Sequence, residues 1–255
     1  MRIISMTEEK LTHDIIDDLI ILGHANPVEI KGARKSICTV GYSPTKGLVR
    51  LYPVPINVRP KMWDILKLPV EKNPQDIRSE SWKIQNSNKD WDVLFKKVKH
   101  IDKVKKRSEK INMIEYLYQK YGQKCVHDLN EQKESLGLIK PKDVEYYFQD
   151  RAYVESTIQI TLDSSTAYKT SSNYPLIPKI KYRCDCCRAK SPHNQQLLEW
   201  GAYQWIRKNP SNPEQIWRNY HLDDPDWQHY FLVGNMARHP TSFMVIGILR
   251  YKKEL

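Results

Sequence analysis

The stretch SICTVGYSPTKGLVRLYPVPI, residues 36–56, carries the clearest structural signal in the chain. Its apolar and β-branched residues favour two strands, at 37–42 and 48–52, and Pro44 and Gly47 mark the turn between them. The pattern therefore predicts a β-hairpin. Further short strands follow one another with few intervening helices, which predicts an α+β fold with a mainly antiparallel β-sheet and flanking helices.

Four segments are predicted to be helical, and the last of them is a short helix at 213–222. Residues 8–22 carry apolar positions at a helical spacing, and residues 91–130 contain one glycine and no proline. A C-terminal helix, anchored by a cysteine cluster, is expected from about residue 194. We interpret 1–255 as a single α+β domain. The alternative division is a β-rich part at 1–163, with a Lys-rich helical insert at 91–130, and a part at 174–255 that holds the cysteine cluster.

The formal net charge of +11 over 255 residues favours a polyanionic partner. Fifteen tyrosines and seven tryptophans offer stacking surface, so nucleic acid is the expected ligand, with DNA favoured over RNA. No apolar run reaches the length of a membrane span, which predicts a cytoplasmic protein without a membrane partner. The five cysteines include the adjacent pair Cys186 and Cys187, which suits thiols or metal ligands better than disulfides.

The cysteine cluster lies in KYRCDCCRAKSPHNQQLLEWGAYQW, residues 181–205. Cys184 and Cys187 have the C-x-x-C spacing that lets two thiolates bind one tetrahedral ion, and His193 follows at a distance that a short loop can close. These three residues are the predicted metal ligands. Because no second C-x-x-C exists, the fourth ligand is open among Cys186, Cys125, a distant histidine, Glu199 and water.

The fourth ligand decides what a metal would do here. A fourth protein ligand closes the site and makes a zinc ion structural, whereas a bound water would make it hydrolytic, with Glu199 as a general base. We expect structural zinc and no other cofactor. A cluster that binds no metal at all is the third interpretation.

A second polar cluster occupies HLDDPDWQHYFLVGNMARHPTSFMVIG, residues 221–247. Asp223 and Asp224 precede one predicted strand, and Asn235 and His239 lie in its link to the next. If these strand ends converge, a carboxylate can activate water while the amide and the imidazole position the leaving group. These four residues are the predicted catalytic group. The alternative is an ordinary turn followed by a hairpin loop.

The predicted nucleic-acid contacts are basic and aromatic side chains. Arg50 and Tyr52 lie at the end of a predicted strand, where an arginine can hold a phosphate and a tyrosine can stack on a base. A lysine-rich run and the C-terminal link are expected to contact phosphates, although such runs are often only solvated helix faces. Their residues are Lys96, Lys97, Lys99, Lys103, Lys105, Lys106, Arg107 and Arg238.

The segments RLYPVP, RCDCCRAKSPHNQQLLEWGAY and YFLVGNMARHPTSFMVIG together resemble a largely uncharacterised family of bacterial proteins. That family shares an Arg-Leu-Tyr-Pro segment, a Cys/His cluster followed by an acidic-Trp pair, and a closing Phe-x-Val-Gly…His-Pro segment. Its pattern falls here on Arg50, Tyr52, Cys184, Cys187, His193, Glu199, Trp200, Gly234, His239 and Pro240. The setting is similar to that of phage-defence DNA glycosylases, and the segment at 239–242 is similar to the His-Pro-Ser segment of uracil-DNA glycosylases.

The leading function hypothesis is therefore a nucleic-acid-acting hydrolase. In its most concrete form it is a DNA glycosylase of phage defence, which flips a modified base into an aromatic pocket and cuts the glycosidic bond. A metal-dependent nuclease is the first alternative. The second is a non-catalytic module that binds a modified base or RNA and carries a structural zinc.

Overall fold

The computed structural model describes residues 13–30, 34–58, 60–74, 76–87, 89–151, 175–187, 189–237 and 239–254. The strands are β1 (His13–His24), β2 (Val28–Ile30), β3 (Arg34–Ser43), β4 (Gly47–Pro55), β5 (Asp64–Glu71), β6 (Ser81–Ile84), β7 (Lys99–Lys103), β8 (Leu136–Ile139), β9 (Pro141–Asp150), β10 (Leu176–Cys184), β11 (His193–Gln196), β12 (Trp227–Met236) and β13 (His239–Lys252). The α-helices are α1 (Arg107–Tyr121), α2 (Val126–Glu131), α3 (Trp200–Lys208) and α4 (Gln215–Tyr220), and 3₁₀ helices lie at Ile56–Val58 and Trp91–Lys97. None of these helices is long and apolar enough to cross a membrane.

Five strands close into a barrel in the order β1–β3–β4–β6–β5, and β5 pairs back onto β1. The β4–β6 pair is parallel, whereas the other four pairs around the barrel are antiparallel. Strand β2 adds to β3 at one side, and β7 adds to β5 at the other. This connectivity is that of a five-stranded Greek-key barrel of the OB type.

Strand β1 closes the barrel because it pairs with two neighbours along its length. Residues 13–20 pair with β5 and residues 20–24 pair with β3. The register with β5 shifts between Ile16 and Leu19. An irregularity of this kind bends a strand and increases its twist, which helps a small barrel to close.

Both faces of the barrel wall are buried along β1, β3 and β4. Leu19 and Ile21 belong to the cluster that fills the barrel, whereas Ile20 and Leu22 belong to a second cluster on its outer side. The outer cluster also contains residues of α1, β8, β12 and β13, namely Ile114, Leu117, Leu136, Leu138, Tyr230, Leu232, Ile246 and Leu249. The C-terminal half of the chain therefore covers this side of the barrel.

The sheet β8–β12–β13 lies between two apolar cores. Tyr230 and Leu232 of β12 belong to the cluster against the barrel, whereas Phe231 and Val233 belong to a third cluster on the opposite face. That third cluster contains residues of β10 and of α2, α3 and α4. The sheet β11–β10–β9 and these helices thus form the outer layer of the C-terminal half.

The structure confirms the α+β class and the hairpin at 36–56, which is β3 and β4. The sheet is not simply antiparallel, because one barrel pair is parallel and the strands form three sheets. The helix predicted at 8–22 is wrong for its described part, which is β1. Since β1 is buried on both faces from residue 19 to residue 23, its apolar residues there do not alternate with polar ones.

The helical prediction for residues 91–130 is correct only in part. Residues 99–103 form strand β7, and the α-helices begin at Arg107 and Val126. The helix expected from residue 194 begins at Trp200, because residues 193–196 pair with β10 as β11. In both segments the composition indicated a helix. Backbone pairing with a neighbouring strand made these residues a β-strand instead.

We expect Gly41→Ala to destabilise the barrel. A Cβ at residue 41 would lie 2.7 Å from the carbonyl oxygen of Ile20 and 2.8 Å from Cδ1 of Leu19. The strand backbone cannot yield without opening the β1–β3 pair, and overpacking costs about 1–3 kcal/mol. Urea denaturation should show a lower midpoint. Gly247→Ala is the matched control, since its Cβ would make only contacts of 3.5 Å or longer; equal losses in both variants would contradict this reasoning.

Candidate metal centre and cleft

Three cysteines and one histidine converge beside α2. The ligand atoms of Cys125, Cys184, Cys187 and His193 all lie within 4.8 Å of one another. The Sγ atoms of Cys125 and Cys187 are 3.8 Å apart, and Nε2 of His193 is 3.3 Å from the first sulfur and 3.4 Å from the second. A tetrahedral zinc with Zn–S bonds of about 2.3 Å holds its sulfurs about 3.8 Å apart. This Cys₃His group therefore has the dimensions to bind a metal such as zinc.

The four ligand residues come from two parts of the fold. Cys184 ends β10, and Cys187 lies in the next turn, where its backbone N–H donates to the Cys184 carbonyl over 3.1 Å. His193 begins β11 and pairs with Tyr182 of β10. Cys125 is the N-cap of α2, and its backbone N–H donates to Oδ2 of Asp128 over 2.7 Å. The group thus joins α2 to the β10–β11 hairpin.

Burial disfavours the charged form of three of the four side chains, whereas the Cys187 thiol, whose pKa burial would raise, has a lowered pKa because hydrogen bonds to its sulfur outweigh burial. Burial raises the pKa of the Cys125 and Cys184 thiols and lowers the pKa of the His193 imidazole. The neutral forms of these three side chains are therefore favoured in the folded chain without a cation. A divalent cation would displace the thiol protons on binding, because the thiolate is the ligand form.

The predicted ligands Cys184, Cys187 and His193 do lie together, and Cys125 completes the set. Among the other candidates, Cys186 is exposed. Glu199 has a different task, because its Oε2 accepts a 2.7 Å hydrogen bond from the Ala202 N–H and another from the Tyr220 hydroxyl. The Cys/His group thus anchors the β10–β11 hairpin. Glu199 caps α3, the helix that the sequence pattern predicted to be anchored by the Cys/His group.

The four predicted catalytic residues do not converge. Asp223 and Asp224 precede β12, whereas Asn235 is near its other end and His239 begins β13. The ten residues of β12 span about 30 Å when extended. Asp223 accepts a hydrogen bond from Tyr146, and the buried Asn235 amide donates to the Pro240 carbonyl, at the other side of its own hairpin, over 2.7 Å. Both contacts hold loops in place.

Arg50 is buried, with 4% of its surface exposed, so the expectation that it binds phosphate is wrong. Its Nη2 donates to the Ser135 carbonyl over 2.8 Å and to the Ser135 hydroxyl over 3.2 Å. That hydroxyl in turn donates to the Glu80 carboxylate. Arg78, in the loop before β6, likewise donates to the Asn235 carbonyl over 2.9 Å. These two arginines tie the barrel to the strands that cover it.

The lysine-rich run forms an edge of the structure. Strand β7 is the last strand on its side of the barrel sheet, and all five of its residues are exposed. Within the run, ion pairs join Lys97 to Asp90, Lys103 to Asp64, Lys105 to Asp102 and Lys106 to Glu109. Asp64 is buried, but the other three pairs join exposed or half-exposed side chains and contribute at most about 1 kcal/mol each. The lysines can therefore exchange an acidic neighbour for a phosphate.

The other predicted nucleic-acid contacts have different positions. Lys96, Lys99 and Arg107 are exposed at the same edge, where Arg107 donates to the Lys252 carbonyl. Tyr52 of β4 is half-buried. Arg238 lies outside the described residues.

A cleft of about 620 Å³ separates the barrel from α3. One wall consists of His24, at the end of β1, and residues between 56 and 62; the other consists of Glu199, Trp200, Gly201 and Gln204. The rings of His24 and Trp200 meet edge to face, with centroids 5.5 Å apart. Burial lowers the pKa of His24 although the Glu199 carboxylate acts in the opposite direction.

Backbone contacts hold the two walls of the cleft together. The Asn26 N–H donates to the Leu198 carbonyl over 2.6 Å, and Ala25 forms an isolated bridge with Glu199. Sequence reasoning named Glu199 as a candidate metal ligand or general base, and named Glu199 and Trp200 in the family pattern, but it assigned neither to a cleft. It could not join them to His24, because these residues are far apart in the chain and no local pattern relates them.

We expect Arg50→Met to lower stability without changing any ligand contact. The substitution leaves the Ser135 groups without their buried donor, and losing a hydrogen bond to a charged group costs about 1.5–3 kcal/mol. Chemical denaturation measures this loss. Lys35→Met, at an exposed position of β3, should change stability by less than about 0.5 kcal/mol. Equal stability of the Arg50 and Lys35 variants would contradict the structural role.

Two family models match the chain. The Domain of unknown function DUF8758 matches residues 16–116, which include the barrel strands, and the Domain of unknown function DUF8757 matches residues 122–254. No curated protein and no solved structure matches. The second family model covers more than half of the 255 residues, and the chain therefore belongs to the family described as Domain of unknown function DUF8757.

Proposed function

We propose that this chain is a nucleic-acid-binding protein, with DNA as the first ligand to test, and that its Cys₃His group holds a structural zinc ion. The observation that carries the nucleic-acid proposal is the closed OB-type barrel. Barrels of this type bind oligonucleotides in other proteins. That step is an analogy of fold, and the net charge of +11 supports it independently.

The binding surface must differ from the usual one of such barrels. OB-type barrels bind ligands on the face of their second and third strands, which are β3 and β4 here. The outward side chains Val40, Tyr42 and Leu48 are buried beneath the C-terminal half. The β7 edge remains exposed and carries Lys96, Lys99 and Lys105. Lysines of this kind contact phosphates and position a strand without reading its sequence.

Four protein ligands favour a structural zinc. A catalytic zinc keeps one coordination position for water, whereas a Cys₃His set fills all four positions with side chains. The ion would hold α2 against the β10–β11 hairpin, and its binding free energy would add to the stability of the C-terminal half. The 255-residue chain is long enough to bury large cores, so we expect the metal to stabilise this fold and not to be its sole support.

Hydrolytic activity stays a prediction. Among the described residues, Cys₃His is the one cluster of three or more potential metal ligands, so no described carboxylate cluster supports a Mg²⁺-dependent nuclease. Excision of a modified base, as by a DNA glycosylase, can be tested directly. DNA that carries modified bases is incubated with the protein and treated with alkali, and strand breaks at abasic sites would support this second candidate.

The purified protein is expected to contain about one zinc ion per chain, measured by inductively coupled plasma mass spectrometry. Cys125→Ser should lose most of this zinc and unfold at a lower temperature. Cys186→Ser replaces an exposed cysteine of the same sequence cluster, and this variant should retain its zinc. Full zinc content in the Cys125 variant, or equal loss in both variants, would show that the ligand set is different.

Joint replacement of Lys96, Lys99 and Lys105 by alanine is expected to weaken DNA binding and its dependence on salt. The slope of log K against log salt is negative, and each lost phosphate contact reduces its magnitude by about 0.9. The triple variant should therefore show a slope that is smaller in magnitude by about 2–3. Fluorescence anisotropy with a labelled oligonucleotide at several salt concentrations measures it. The control replaces the exposed Lys35, Lys190 and Lys208, which lie outside this edge, with the same loss of charge. Identical slopes for both triple variants would indicate attraction by net charge alone.

A further inference from the structure

We propose that the cleft between the barrel and α3 binds a single nucleotide, with the base against Trp200 and the phosphate at Lys61. The choice of ligand class rests on the proposed function. The size and the chemistry of the cleft are independent of it. A base bound here would add direct recognition to the phosphate contacts at the β7 edge.

The dimensions of the cleft suit a ligand of this size. Its volume of about 620 Å³ falls within the usual range of about 300–1,000 Å³ for small-molecule sites. The apolar part of its lining consists of Ile56, Pro60, Met62 and Trp200. An indole in such a wall offers a flat surface to a nucleobase, and stacking on it tolerates every base.

Glu199 supplies a fixed hydrogen-bond acceptor in the cleft. Its Oε2 accepts both the Ala202 N–H and the Tyr220 hydroxyl. In the described part of the chain no donor is bonded to Oε1, so this oxygen can accept from the ligand. Because two bonds hold the carboxylate in place, it is preorganised for an N–H group such as those on the edge of a nucleobase.

Lys61 supplies a cation at the cleft. Its side chain is exposed, and it forms none of the ion pairs found among the described residues. The neighbouring Asn57 is also exposed and adds an amide to the same wall. An ammonium group and an amide donor suit a phosphate oxygen. A ligand with a flat ring, an N–H donor and an anionic group matches all these features, and a nucleotide has all three.

Two unpaired polar atoms lie behind the same walls. Nδ1 of His24 and Nε1 of Trp200 are buried, and neither has a hydrogen-bond partner among the described residues. Unpaired buried polar atoms cost free energy and are uncommon in native structures. Two of the nine such atoms among the described residues lie in adjoining side chains at this junction, which agrees with a binding site.

The cleft also lies where two separate parts of the chain meet. His24 and residues 56–62 fall within the first family segment, and residues 199–204 fall within the second. Ligand sites occur preferentially at such junctions, because two rigid surfaces can enclose a ligand that neither could hold alone. A bound nucleotide would therefore contact both halves.

The test is isothermal titration calorimetry of the full chain with AMP, GMP, CMP and UMP, and with ribose 5-phosphate as the ligand that lacks a base. Nucleotides should bind, and ribose 5-phosphate should bind more weakly. Trp200→Leu should weaken nucleotide binding by about 5- to 150-fold, as loss of one stacked base does. Lys61→Ala should weaken it by about 5-fold.

A control variant and a second measurement keep this experiment decisive. Lys35→Ala removes an exposed cation outside both the cleft lining and the β7 edge and should leave nucleotide binding unchanged. Since Trp200 packs against the barrel core, its variant could fail to fold, and the exposed Lys61 then decides. Ribose 5-phosphate that binds as tightly as AMP, or equal effects of Lys61→Ala and Lys35→Ala, would overturn the proposal.

These titrations, combined with the oligonucleotide anisotropy measurement described above, separate this inference from the proposed function. Oligonucleotide binding without any mononucleotide binding overturns the cleft as a nucleotide site and leaves the β7 edge intact. Mononucleotide binding that depends on Lys61, without any oligonucleotide binding, supports the cleft and refutes nucleic acid as the partner.

Discussion

The burial of β12 on both faces is the constraint from which the arrangement of the chain follows. Tyr230 and Leu232 point into one core, and Phe231 and Val233 point into another. A strand of this kind needs a covering layer on each side, and the barrel supplies one while the β9–β11 sheet and its helices supply the other. The central sheet has no free face for a ligand. Candidate sites therefore lie at an edge, at a hairpin end and at the junction of two layers.

The sequence predicts those parts of the fold and site whose signals are local. The hairpin at 36–56 combines β-branched runs with a Pro/Gly turn, and the candidate metal ligands at 184, 187 and 193 lie within one hairpin. The strand β1 was not predictable in this way, because burial on two sides removes the alternation that identifies a strand. Cys125 was one candidate among several, since a contact between residues far apart in sequence leaves no periodic pattern.

The two polar clusters of the C-terminal half show that a short separation in sequence does not always bring side chains together in the fold. In the cysteine cluster the chain turns back at once, so residues a few positions apart become neighbours. Between Asp224 and Asn235 the chain runs extended through β12, so a similar separation in sequence holds the groups apart. Arg50 illustrates a related limit. A basic residue at a strand end can serve a ligand or a buried hydrogen-bond network, and only the packing of the Ser135 segment decides between them.

The covered side of the barrel has a consequence for the modularity of the chain. Two family models meet near the end of α1, which would ordinarily mark two independent modules. If the halves were separated, Ile20 and Leu22 of β1 would face water, and so would Tyr230 and Leu232 of β12. Apolar patches of this kind promote association with other chains. The two segments are thus distinct as sequence families but depend on each other in folding. A protein that kept only one of them would need polar side chains, or another partner, at the apolar surface that the missing segment covers here.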